Sequence, residues 1–102
     1  MAERTVVWTE TASRQRREIL KYWTKRNDST KYTEKLIRIT KRRIKIILTN
    51  PYAFKQADYF ETREAAMGHF SIYYKITETQ LIITAFWDNR QDPKKWLKLI
   101  ND

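Results

Sequence analysis

The sequence has no cysteine, one glycine (Gly68), two prolines and a single histidine, His69. Without cysteine there is no disulfide, no thiolate metal ligand and no thiol nucleophile. One histidine is too few for the usual structural zinc site and poorly suited to a Ser-His triad. So little glycine and proline argues against long irregular loops. No run approaches the ~20 apolar residues of a membrane span. The start, Met1-Ala2-Glu3-Arg4, lacks the apolar core of a signal peptide. These absences lead to the expectation of a soluble cytoplasmic protein with no membrane association, no metal and no cofactor.

What is present is a globular composition. The chain has 102 residues, 41% hydrophobic and 14% aromatic, with four tryptophans. That length suits one domain over residues 1–102 with a single core. Lys and Arg outnumber Asp and Glu by 21 to 12, for a formal charge of +9. Such an excess favours an anionic partner, either nucleic acid or an acidic protein surface.

Thr5–Trp8 is a short β-prone run and the expected first strand. Thr9 or Thr11 can cap a helix over residues 12–26, whose apolar positions Ala12, Ile19, Leu20 and Trp23 share one face. Arg14, Arg17, Lys21 and Lys25 fall on the other. Asn27-Asp28-Ser29 breaks the helix. A second helix is expected over residues 30–48. Its apolar residues Leu36, Ile37, Ile39, Ile44, Ile46, Ile47 and Leu48 span roughly 200°, so it should touch both a sheet and the first helix. Lys31, Lys35, Arg38, Lys41, Arg42 and Lys45 take the remaining arc. Asn50-Pro51 ends it.

The rest reads as β. Residues 57–63 are a strand candidate. Residues 69–76 alternate, with Phe70, Ile72, Tyr74 and Ile76 against Ser71, Tyr73 and Lys75. Thr77-Glu78-Thr79-Gln80 is a hairpin turn, and residues 81–88 alternate again. Pro93 can open a last short helix through Trp96, Leu97 and Ile100. The order β-α-α-β-β-β with a short C-terminal helix gives a two-layer α+β fold. A helical hairpin packs on an antiparallel-rich four-stranded sheet. The sheet face away from the helices is expected to carry Ser71, Tyr73, Lys75, Thr84, Phe86 and Asp88, or the opposite set, and to be edged by Arg90.

Several residues have the chemistry to handle a phosphodiester. Arg63, His69, Arg90 and nearby lysines can bind phosphate, and a Tyr, His or Glu can move a proton, as a metal-free ribonuclease requires. Tyr73 is a candidate for base stacking. Arg38, Lys41, Lys45, Lys75, Lys94 and Lys95 are candidate contacts to nucleic acid or an acidic target. Each has a plainer reading. Arg90 can pair with Asp88 or Asp92. His69 can be a half-exposed strand-edge residue, and Tyr73 can simply pack. The basic helix faces can be solvated.

Four segments carry a family resemblance: VVWTETASRQRREILKYWTKRN, LTNP, GHFSIYYKI and LIITAFWDNRQDP. With them the chain resembles the RelE/ParE superfamily of type II toxins, often labelled plasmid stabilisation proteins. The resemblance implies the fold above and a cognate antitoxin as partner in a hetero-oligomer. RelE-like members cut mRNA on the ribosome without a metal. ParE-like members poison DNA gyrase and lack the cleavage residues. In RelE-like nucleases the third strand reads Gly-Tyr-Arg, whereas here Ser71 stands where that Arg would. The Arg after the fourth strand is kept as Arg90, and the tail Tyr falls at Trp96. The resemblance therefore implies a ParE-like toxin that binds its target rather than an enzyme. A RelE-like endoribonuclease using Arg90 with His69, Arg63 or Tyr73 is one alternative. An inactive antitoxin-binding homologue is another.

Overall fold

The computed structural model describes residues 3–90. The expected last helix, with Pro93 and Trp96, and the candidates Lys94 and Lys95 lie outside the described residues.

β1 (Thr5–Trp8) leads into α1 (Glu10–Asn27). Thr9 is the N-cap, and its side chain accepts the Ala12 N–H at 3.1 Å, so the cap is the first of the two threonines. Asp28 closes α1 in the left-handed region at φ 48°, and α2 (Lys31–Thr49) returns antiparallel beside it. The broad apolar arc of α2 divides on folding. Leu36, Ile44 and Ile47 are buried, Ile39 and Leu48 are partly buried, and Ile37 and Ile46 remain exposed. α1 packs on the last strand, and α2 packs on α1 and on β3.

The sheet has five strands rather than four, in the order β1-β5-β4-β3-β2. β1 runs parallel to β5, and all other pairs are antiparallel. The expected strand over residues 57–63 is a loop. β2 (Lys55–Gln56) precedes it and β3 (Arg63–Met67) follows it. The loop is closed by Ala57 N–H to Thr62 O at 2.9 Å and Thr62 N–H to Tyr59 O at 3.1 Å. Glu61 holds φ 51°, a left-handed conformation that costs a non-glycine residue about 1 kcal/mol. Gly68 takes a third positive-φ position, φ 66°, in the two-residue link from β3 to β4 (Phe70–Ile76).

β5 (Gln80–Asp88) departs from simple alternation. Tyr74 pairs with Ile83 and Tyr73 pairs with Ala85, so Thr84 is an extra residue in a β-bulge. An extra residue moves every later side chain to the opposite face. Leu81 and Ile83 face the helices as alternation predicts. Beyond Thr84 the expectation is corrected. Phe86, paired with Ile72, joins the main core, and Asp88 lies opposite Phe70 on the helix side. Ala85 and Trp87 join Tyr73 in a second small cluster on the other face, packed with Ala57.

β1 accompanies β5 only as far as Ile83. Past that point the β5 edge meets α1, where the buried Gln15 side chain accepts the Phe86 N–H at 2.9 Å. A side chain thus takes over the role of a neighbouring strand.

Candidate functional site

The bulge decides where Arg90 goes. Its Nε donates to Asp88 Oδ1 and its Nη2 to Asp88 Oδ2, both at 2.8 Å, and its backbone N–H also reaches Oδ1 at 3.0 Å. The guanidinium lies 4.5 Å from the Trp23 ring centroid and 5.5 Å from that of Phe70. Trp23 is on α1 and Phe70 is a core residue, so Arg90 is clamped on the helix side of the sheet. Burial alone would raise the Asp88 carboxyl. The hydrogen bonds from Arg90 and the charges of Arg90 and His69 outweigh it and hold that carboxyl below the usual range.

His69 is exposed in the turn before β4, and its carbonyl accepts the Asn89 N–H at 2.7 Å. It is close enough to influence Asp88, so His69 and Arg90 share one end of the sheet.

Arg63 sits elsewhere. It pairs with Tyr74 in the β3–β4 ladder, and its Nη1 donates to Tyr52 O at 3.2 Å and Phe54 O at 2.7 Å. Tyr73 points to the second face. It hydrogen-bonds Glu64. Burial first, then the Glu64 charge and that bond, push its hydroxyl well above the ordinary tyrosine range. Such a phenol holds its proton at neutral pH. The structure therefore brings His69 and Arg90 together but does not bring Arg63 or Tyr73 to them.

Ser71, on the second face, is fully buried. Its hydroxyl donates to Glu64 Oε2 at 2.7 Å and accepts from Asn89 Nδ2 at 2.8 Å. Lys55 pairs with the other Glu64 oxygen at 3.3 Å. Glu64 is the hub of this network, and no property of the Glu64 position alone in the sequence marks it. Only the β3–β4 register, which sets Glu64 opposite Tyr73, brings it beside Ser71. The network has one carboxylate and one cation already paired to it, which makes a poor cradle for a phosphate.

Of the basic candidates, Arg38, Lys41 and Lys45 are exposed on α2 at helical spacing, forming one stripe. Lys75 is partly buried on β4. A groove of about 640 Å³ runs between the helices, lined by Leu20, Thr24, Thr33 and Ile37 with the exposed Arg17, Glu18, Lys21 and Lys25. Among the described residues, no helix is long and apolar enough to cross a membrane, and no cluster of His, Cys, Asp or Glu suits a metal ion.

A helical hairpin on a mixed five-stranded sheet is the architecture of known toxin–antitoxin structures. The chromosomal ParDE TA system from P. aeruginosa matches with a TM-score of 0.70 at 14% identity, covering 82% of this chain and 94% of that one. The E. coli DinJ–YafQ toxin–antitoxin complex matches with a TM-score of 0.55 at 11% identity, covering 87% and 96%. No curated protein sequence matches. Residues 6–93 match the ParE toxin of the type II toxin–antitoxin system parDE, and the chain belongs to that family.

Proposed function

We propose that this protein arrests bacterial growth by binding a target enzyme such as DNA gyrase, without cutting RNA, and that a cognate antitoxin neutralises it. The observation that carries this reading is the separation of the nuclease-type groups. Arg90 is clamped to Asp88 on the helix side, while Ser71 is committed to Glu64 and Asn89 on the other. A metal-free ribonuclease needs its cations and proton carriers around one phosphate.

The stripe of Arg38, Lys41 and Lys45 supplies long-range attraction to an acidic target. The interhelical groove, with Leu20 and Ile37 in its lining and three cations against one acid, Glu18, suits an amphipathic antitoxin segment with acidic flanks. Both matched structures are toxin–antitoxin systems by name.

Induction of the chain with and without its neighbouring reading frame tests growth arrest and neutralisation. Purified protein then goes into a gyrase supercoiling assay and, separately, a translating extract. Inhibited supercoiling with intact transcripts is expected. Transcripts cleaved by the wild type and spared by Arg90→Ala would establish the RelE-like alternative instead.

A further inference from the structure

The most exposed large apolar side chain among the described residues is Phe60, at 78%. It stands at the tip of the loop between β2 and β3, and that loop is firmly built. Beyond the two backbone bonds closing it, the buried Thr62 donates its hydroxyl to Phe60 O at 2.9 Å. Glu61 is held in the left-handed region beside it. A rigid loop that exposes a phenylalanine and tolerates backbone strain gains nothing for the fold.

Beside the loop lies a cleft of about 370 Å³, whose lining includes Tyr52, Gln56, Tyr59, Thr62, Arg63 and Ile76. Tyr52 lines the cleft and is 64% exposed, and Phe60 lies in sequence between two other lining residues, Tyr59 and Glu61. Arg63 is fixed within it by Tyr52 O and Phe54 O, with its guanidinium 5.4 Å from the Tyr52 ring centroid. Among the described residues, those two bonds use Nη1 only. The Nε and Nη2 donors remain for a ligand carboxylate.

We infer that Phe60, Tyr52 and Arg63 form the anchoring contact to the growth-arrest target. The contact receives a protein segment that presents an apolar side chain beside a carboxylate. This inference rests on the reading proposed above. Local charge selects a protein rather than a nucleic acid: Asp58 and Glu61 flank Phe60, and residues 57–62 contain no Lys or Arg. Acids at the loop tip repel a phosphate backbone, whereas a protein surface of mixed charge meets both them and Arg63. Rigid aromatics beside a fixed arginine have the composition of an interface hot spot. The cleft is also separate from the interhelical groove, so the antitoxin and the target would use different surfaces.

The test is the double variant Phe60→Ala with Tyr52→Ala, expressed in full-length protein. Both side chains are exposed, and the Arg63 bonds run to backbone oxygens, so the melting temperature should hold. Tyr22→Ser, a change at another exposed aromatic (54%), is the control. Wild type and Tyr22→Ser should arrest growth. The double variant should lose roughly 100-fold in target affinity, as expected for two interface anchors, and its induced cells should form colonies. Arrest by a folded double variant as complete as by the wild type overturns the anchoring contact and leaves the proposed function standing. Absence of arrest by the wild type overturns both. Transcripts cut by the wild type but spared by the double variant would mean base stacking, and would overturn the protein contact.

Discussion

Ser71 and Glu64 lie on adjacent strands and share a 2.7 Å hydrogen bond on the face of the sheet turned away from the helices. The resemblance read from the sequence sets this hydroxyl against an arginine of RelE-like nucleases, and the carboxylate beside it would neutralise such an arginine.

Replacing Ser71 by Ala removes the donor to Glu64 and the acceptor for Asn89. Glu64 is largely buried but Asn89 is exposed, and the expected loss is about 1 kcal/mol in chemical unfolding. Growth arrest should persist if this network serves only to support the sheet end. A variant that unfolds normally but no longer arrests growth would contradict that assignment.

Asp88 predicts an acid sensitivity with a definite sign. Its carboxyl is depressed in the folded state, so its contribution is present above the unfolded value of about 3.9. That contribution disappears as pH falls through the lower folded value. Asp88→Asn should cost about 1 kcal/mol near neutrality, a modest figure because Arg90 is partly exposed. Melting curves of variant and wild type should converge as pH drops below 4. A gap that stays constant into strong acid would rule the linkage out.

Tyr74 predicts the opposite limb. Burial pushes its hydroxyl up to about 12, with the Arg63 charge pulling the other way. A raised tyrosine contributes stability fully below the unfolded value of about 10, and loses it as pH rises toward 12. Its hydroxyl also donates to Pro51 O at 2.7 Å, tying β4 to the end of α2. In an ultraviolet titration of the six tyrosines, Tyr73 and Tyr74 should ionise only as the protein unfolds. Tyr74→Phe should remove part of the alkaline loss.

Gln15→Ala should be costly for a helix position that reads as ordinary. It strands the Phe86 N–H where β1 has ended, and an unsatisfied buried donor costs about 1–3 kcal/mol. Hydrogen exchange should quicken first at Phe86 and its neighbours. Exchange unchanged there would mean that another group accepts this N–H.

The parts of the fold readable from sequence are those set by local chemistry. Thr9 caps α1, Pro51 follows α2, and the β4 alternation holds because each is decided within a few residues. The loop after β2 misleads because Tyr59 and Phe60 favour strands. That preference expresses packing on a half-buried surface, and Phe60 has no such surface. The Asp88–Arg90 pair is legible as a two-residue spacing. Its side of the sheet is not, because that depends on a bulge formed against β4.

Thr84 therefore sets the parity of everything after it. Under plain alternation the two residues between Ile83 and Phe86 would have aimed Asp88 at the Ser71 side; the bulge absorbs one of them and aims Asp88, with Arg90 in tow, at Trp23. Two relatives sharing every residue of the closing segment, one bulged here and the other regularly paired, would carry the same letters on opposite faces. Comparisons within the family must count residues from the bulge before they compare side chains.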